Sequence, residues 1–223
     1  MLGKSIRFNS LILGLFALIT AALLAVTHEG TKERIADAKR EVAKRALLEI
    51  VPLERHNNDV LIDTLEIPSE YFPVLGIKSG DINIARDGNK LVAVIVPAIA
   101  PDGYSGDIQM IIGINVDGTI AGVRVISHNE TPGLGDKVDI KKNNWILGFN
   151  GKSLTNPKPK DWKVKKDKGS FDQFTGATIT PRAVVKQVLK TLQYYKEDKE
   201  RLLKAAQQVE PTEATPPEAA SHG

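Results

Sequence analysis

Residues 11–26 read LILGLFALITAALLAV, an uncharged apolar run broken only by Gly14 and Thr20. Taken from Phe8 to Thr27 the run is 20 residues long. That is about 30 Å of helix, enough to cross the hydrocarbon of a bilayer. The pattern predicts a retained membrane helix. The rival reading is a cleaved signal peptide, for which Ala25-Val26-Thr27 offers a weak small-x-small site. Lys4 and Arg7 precede the run, and Lys32, Arg34, Lys39, Arg40, Lys44 and Arg45 follow it. Charge counting decides orientation only for short loops, because long domains translocate largely regardless of charge. The side of the membrane therefore stays open at this point.

After the run the period changes. Residues 31–50 place Ile35, Ala38, Val42 and Ala46 at helical spacing, and Pro52 ends the segment. Residues 53–80 carry no clear period. Alternation then sets in. Residues 82–86 and 91–96 flank Asp87-Gly88-Asn89, and residues 108–116 and 119–127 flank Asp117-Gly118. Both read as hairpins, because Asp-Gly supplies the positive φ that a tight turn needs. Met110, Ile112, Ile114 and Val116 alternate with Gln109, Ile111, Gly113 and Asn115, which predicts a half-buried strand. On its partner, Ala121, Val123 and Val125 alternate with Gly122 and Arg124. The helical period returns at Pro181, with Thr180 as N-cap, a stripe of Val185, Val188, Leu189 and Leu192, and a continuation through Leu202 and Leu203. From Glu210 the chain is Pro, Glu, Ala, Ser and Thr, a composition that predicts disorder. Strands and helices in separate runs predict an α+β domain built on an antiparallel sheet with flanking helices.

Composition narrows the classes. The chain has 223 residues, 42% of them apolar, and a net charge of +3. A polytopic membrane protein, a wholly disordered chain and a general nucleic-acid binder are excluded. With no cysteine, thiolate nucleophiles, iron–sulfur ligation and Cys-based zinc sites are absent. The histidines His28, His56, His128 and His222 are scattered, and no metal site is expected. Residues 152–168 carry seven lysines against Asp161 and Asp167, which reads either as a solvated loop or as a surface for an anion. Gly151-Lys152-Ser153 lacks the glycine that a phosphate loop needs at position 146, where Ile stands.

Two segments carry candidate chemistry. His128-Asn129-Glu130-Thr131-Pro132-Gly133-Leu134-Gly135 is a glycine-punctuated loop at a strand end. Asp172-Gln173-Phe174-Thr175-Gly176-Ala177-Thr178 runs straight into the last helix. A helix N-terminus favours an anion, and Gly176 and Ala177 leave the backbone uncrowded, although an ordinary capped turn has the same look.

The Asp-x-x-Thr-Gly-Ala-Thr string resembles the flavinylation motif, in which a flavin transferase attaches FMN through a phosphoester to the final threonine. The His-x-Glu-Thr-Pro-Gly-Leu-Gly string resembles the second hallmark of the same FMN-binding domain. Both, behind one N-terminal span, resemble the G subunits of Rnf/Rsx electron transport complexes, a family whose domain is shared with the C subunits of sodium-translocating NADH:quinone reductases. The resemblance covers residues 8–203. It implies a single-pass protein of the bacterial inner membrane, with a cytoplasmic N-terminus over 1–7, a span over 8–27, a juxtamembrane helix over 28–52, an FMN-binding domain in the periplasm over 53–209 and a disordered tail over 210–223. It implies an electron carrier within a complex that couples electron transfer between NADH and ferredoxin to ion movement. Its partners would be the other subunits and, during maturation, the transferase. Carried over by position, Thr178 is the acceptor, and Asp172, Thr175, Gly176 and Ala177 are the transferase's recognition string. Glu130, Thr131, Gly133, Leu134 and Gly135 line the flavin or its ribityl-phosphate. No residue is assigned a catalytic role. Glu130 reads equally as a brace of its loop, His128 as loop packing or a proton donor, and Tyr104 as a flavin neighbour or core. The lysine run is expected beside the site, and a non-redox anchored scaffold is the alternative function.

Overall fold

The computed structural model describes residues 2–208; the tail expected to be disordered, 210–223, lies outside the described residues. The chain divides into two compact units, one up to Val42 and one from Ala43.

The apolar run and the charged stretch after it form one uninterrupted helix, α1 (Leu2–Ile50). Within it, Asn9–Lys32 is long and apolar enough to cross a membrane. Its side chains are exposed throughout. The threonine hydroxyls inside this stretch have no need of an outside partner. Thr20 donates to the Phe16 carbonyl at 2.8 Å and Thr31 to the Thr27 carbonyl at 2.8 Å, one turn back.

The second unit is an α+β domain. A five-stranded antiparallel meander, β1 (Thr64–Glu66), β2 (Asp81–Asp87), β3 (Lys90–Gly103), β4 (Gly106–Asn115) and β5 (Ile120–Ser127), runs in chain order across the sheet. A short α2 (Phe72–Leu75) lies between β1 and β2, and a 30-residue α3 (Ile179–Gln208) closes the domain. In the β2–β3 hairpin Asp87 pairs with Lys90, so Gly88 and Asn89 are the central residues, and Gly88 supplies the positive φ of 59°. In the β4–β5 turn Gly118 has φ 88°. There Asp117 accepts from both the amide and the hydroxyl of Thr119, which holds its carboxyl below the usual carboxylate range.

A third hairpin has no sequence signal. β3 runs on past Pro97 and Pro101 to Gly103, which pairs with Gly106 across Tyr104-Ser105. Pro97 is tolerated because the β2 ladder ends at the Asn83–Ile95 pair, so the missing N–H deprives no partner strand.

The sheet is covered on both faces, where a half-buried strand was expected from the alternation of β4. One face (Ile82, Val94, Val96, Ile108, Met110, Ile112, Ile114) packs on Val184, Val185, Val188 and Leu192 of α3. The other (Ala85, Ala93, Ile95, Ile111) is capped by Ala46, Leu47 and Ile50 at the end of α1, together with Val51 and Val60. Of the residues at helical spacing in 31–50, Ile35 and Val42 are exposed, and burial begins only at Ala46. β5 also departs from simple alternation. A bulge opposite Gly113/Ile114 sends Ala121 to the second face, while Ile120 and Val123 stay in the main core. Gly113 and Gly122 face each other across β4 and β5 and leave a seat for Ile50.

Residues 128–178 connect β5 to α3 with 3-10 turns. Their core is aromatic: Trp145, Phe149, Trp162, Phe171 and Phe174 touch in sequence, with Phe149 and Phe171 stacked at 4.8 Å. Trp162 and Val164 are buried, so the lysine-rich stretch is pinned from within while most of its lysines point to solvent.

Candidate functional site

Three segments that are far apart in sequence meet at the N-terminal end of α3: the β3–β4 hairpin tip, the loop after β5, and the stretch leading into the helix. Between them lies a cleft of about 280 Å³ lined by Tyr104, Glu130, Thr131, Leu134, Gly135 and residues 176–180.

The loop after β5 is wound around one carbonyl. Thr131 C=O accepts from the amides of Leu134 at 3.1 Å and Gly135 at 3.1 Å. Gly133, at φ 77°, makes that winding possible. The Glu130 amide donates to His128 Nδ1 at 3.1 Å, which places His128 as a loop-packing residue. Glu130 itself is 4% exposed. Its Oε1 accepts the Ser105 amide at 2.9 Å, and its Oε2 accepts the Thr180 hydroxyl.

That bond corrects the expected helix start. Thr180 is not the N-cap. Its side chain is fully buried and its hydroxyl is held by Glu130. The helix begins at Ile179. Thr178 is the N-cap, its carbonyl accepting the Arg182 amide at 3.3 Å. Pro181 still falls in the first turn, where an N–H has no intrahelical partner. The Thr178 side chain is half-buried on the cleft wall, and its hydroxyl makes no hydrogen bond among the described residues.

Gly176, at φ 80°, turns the chain so that the Ala177 amide meets the Phe174 carbonyl at 3.1 Å. Of the sequence-predicted residues, Glu130, Thr131, Leu134, Gly135, Gly176, Ala177 and Thr178 line the cleft, whereas Asp172, Thr175 and Gly133 lie outside its lining. Asp172 is tied elsewhere: its carboxylate meets Lys165 Nζ at 2.6 Å and its carbonyl accepts the Trp145 indole N–H at 2.8 Å. The Lys166 amide donates to Gln173 Oε1 at 3.1 Å. The lysine-rich stretch thus grips the upstream end of the string.

Two ion pairs brace the helix start. Arg182 makes a bidentate pair with Asp167, both bonds at 2.6 Å, and Lys186 meets Asp102 at 2.6 Å. Their cationic partners hold Asp167 and Asp102 below the usual carboxylate range. Ile179, Ser105 and these ties were not found from sequence, because each depends on a contact between distant segments. Apolar surface shows at the cleft, as it also does at Leu53 and Ile62 outside it. Tyr104 is 67% exposed, Leu134 41% and Ile179 45%. Three large apolar side chains gathered at one cleft suit a planar ring. A free hydroxyl at a helix N-terminus, small neighbours at Gly176 and Ala177 and an apolar rim fit a flavin mononucleotide. No group of His, Cys, Asp and Glu able to hold a metal ion occurs among the described residues.

Residues 103–193 match the family model described as FMN-binding domain, and residues 1–50 match the RnfG N-terminal region. Over 201 residues the chain is 47% identical to the G subunit of the ion-translocating oxidoreductase complex of Pseudomonas aeruginosa strain UCBPP-PA14, with 90% of this chain and 93% of that one covered. It is 46% identical over 199 residues to the protein of the same name in Pseudoalteromonas atlantica, covering 89% and 92% of the two chains. The corresponding figures for Shewanella loihica are 45% over 201 residues, 90% and 94%.

Proposed function

The chain belongs to the family of G subunits of ion-translocating oxidoreductase complexes, and from that premise we propose that it carries one FMN joined by a phosphoester to Thr178. It serves as an electron carrier in a membrane complex that couples electron transfer between NADH and ferredoxin to ion translocation. The other subunits pass electrons to it and take them from it. The span holds residues 1–7 in the cytoplasm and the FMN-binding domain in the periplasm, where covalent attachment keeps the cofactor from diffusing away.

The observation that carries the reading is the Thr178 hydroxyl: unpartnered among the described residues, at the N-cap of α3 and on the wall of an apolar-rimmed cleft. When bound, the isoalloxazine supplies one- and two-electron chemistry that the side chains lack. Thr178 supplies the oxygen of the ester. With a flavin dinucleotide as donor, that oxygen bonds to the flavin-side phosphorus, the phosphoanhydride bond breaks, the nucleoside monophosphate leaves and the hydroxyl proton passes to solvent. The ester keeps one negative charge beside the free amides of the first helical turn, an arrangement worth about 0.3–1 kcal/mol. Tyr104, Leu134 and Ile179, which line the cleft, would hold the ring. Asp172, Thr175, Gly176 and Ala177 present the string to a flavin transferase from an exposed turn.

The test is flavin fluorescence that stays with the full-length band after denaturing electrophoresis, mapped to Thr178 by peptide mass. A band that loses all flavin on denaturation refutes the covalent reading.

A further inference from the structure

We propose that Glu130 is the positioning residue of the Thr178 acceptor. Its buried carboxylate ties the first turn of α3 to the β3–β4 tip and engages the Thr180 hydroxyl, so that Thr178 stands as the free hydroxyl at the helix start. The inference rests on Thr178 being the flavin acceptor, and it assigns Glu130 a role through Thr180 instead of contact with the flavin.

The geometry is closed around the carboxylate. An ionised carboxylate only accepts, and both Glu130 oxygens already have donors, the Ser105 amide on one and the Thr180 hydroxyl on the other. Glycines enclose it. A Cβ at Gly135 would lie 2.8 Å from Glu130 Oε2 and 2.7 Å from Thr180 Oγ1, and a Cβ at Gly103 would lie 3.0 Å from Oε1. Any side chain at Gly135 would therefore push the two partners apart. Thr180 is fully buried, so its hydroxyl has no water to turn to. A buried acceptor robbed of its donor is costly, and this asymmetry makes the tie stiff.

The consequence falls on Thr178. It stands two residues before Thr180, on the same turn, and the rotation of that turn about the helix axis sets where its hydroxyl points. Three ties hold the start of α3, and Arg182–Asp167 and Lys186–Asp102 lie at the surface, where solvent and salt screen them. Glu130–Thr180 is the buried one. It also separates two chemically equal hydroxyls. Thr180, held by Glu130, is unavailable both as acceptor and as N-cap, which leaves the N-cap position to Thr178.

The experiment measures flavin transfer to the full-length chain in detergent, with purified flavin transferase and FAD, as initial rates over a range of chain concentrations. Glu130→Gln places an amide NH₂ against one of two donors, and Thr180→Val removes the donor at constant shape. Each is expected to lower kcat about tenfold or more, as misplacement of a reacting group does. KM for the chain should stay within about twofold, because the recognition string is untouched. The double variant should be no slower than the slower single one, since both break one tie, and Thr180→Ser should restore the wild-type rate. Gly113→Ala, which disturbs the far face of the sheet, should retain wild-type kcat per folded chain. The inference is overturned if Glu130→Gln and Thr180→Val keep wild-type kcat, if their loss only follows the folded fraction seen by near-UV circular dichroism, or if KM rises with kcat unchanged. Where Glu130→Gln fails to fold, the Thr180→Val and Thr180→Ser pair decides. Wild-type chain that takes up no flavin, or takes it up with Thr178→Ala, overturns the acceptor reading and this one with it. Normal wild-type labelling alongside unaffected variants overturns this one alone.

Discussion

Replacing Gly113 with alanine tests how the end of α1 is seated on the sheet. The added Cβ would lie 2.1 Å from Ile50 Cγ2. Carbon atoms in contact sit about 3.5–4.0 Å apart, so one partner must retreat by roughly 1.5 Å. Little can give way. Ile50 is 3% exposed, and on the neighbouring strand a Cβ at Gly122 would already be 3.2 Å from its Cγ1. Overpacking of this kind costs about 1–3 kcal/mol. For a domain of this size each kcal/mol moves Tm by about 2–4 °C, so a fall of about 2–12 °C is expected. Ile50→Ala alone should cost about 2–5 kcal/mol through the hole it leaves. In the double variant the new methyl occupies part of that hole, so its loss should fall short of the sum by about 1 kcal/mol or more. The measurement is thermal unfolding of full-length protein in detergent, followed by near-UV circular dichroism. A Gly113→Ala protein with unchanged Tm, or strictly additive losses in the double variant, would refute the packing argument.

Thr178→Ala should abolish covalent flavin with Tm nearly unchanged, because its hydroxyl makes no hydrogen bond among the described residues; Thr178→Ser should take flavin weakly, and both are read by in-gel fluorescence. Asp102 and Asp167 sit below the usual carboxylate range through Lys186 and Arg182. Their stabilising contribution is therefore present above about pH 4 and lost as pH falls through the lower folded values, so amide protection at the start of α3, relative to the intrinsic rate, should fall below about pH 4. Asp167→Asn should flatten that response, and an unchanged acid profile would count against the tie. Burial pushes the phenols of Tyr194 and Tyr195 up, Tyr195 to about 12. Their stabilisation is present below about pH 10 and lost as pH rises toward the folded values. Absorbance at 295 nm should show a late alkaline step that coincides with unfolding; full phenolate formation by about pH 10.5 would contradict their burial.

How much of this was legible depends on how local the cause is. The two Asp-Gly turns were read because a turn is decided by four residues. The β3–β4 hairpin was not, since its strand contains Pro97 and Pro101 and its tip is Tyr104-Ser105, none of which signals a hairpin. Only the end of the β2 ladder at Asn83–Ile95 makes Pro97 acceptable there. Alternation in β4 marked a strand but misjudged its surroundings. Gly113 and Ile111 occupy what should have been the open face, and that face is covered by Ile50, more than 60 residues away in sequence. The bulge at Ala121 escaped for the same reason: a one-residue slip is set by the partner strand, not by the strand that slips.

The site divides along the same line. The string ending at Thr178 was singled out by its resemblance to a flavinylation motif; its turn, its glycine and the helix behind it are neighbours in sequence, but by themselves they look like an ordinary capped turn. The N-cap was placed two residues late because Thr180-Pro181 is the stronger local signal, a capping hydroxyl ahead of a proline that needs no N–H. That signal was overruled by a carboxylate 50 residues upstream. A hydroxyl facing both a helix amide and a buried carboxylate goes to the carboxylate, because bonds to charged groups contribute about 1.5–3 kcal/mol against about 0.5–1.5 for neutral ones. The choice costs α3 a side-chain cap on its first turn. It leaves amides of that turn uncapped and the Thr178 hydroxyl unclaimed, facing a cleft with an apolar rim. The departure from the local rule therefore falls at the one place where an anionic ester would need both free amides and a free hydroxyl.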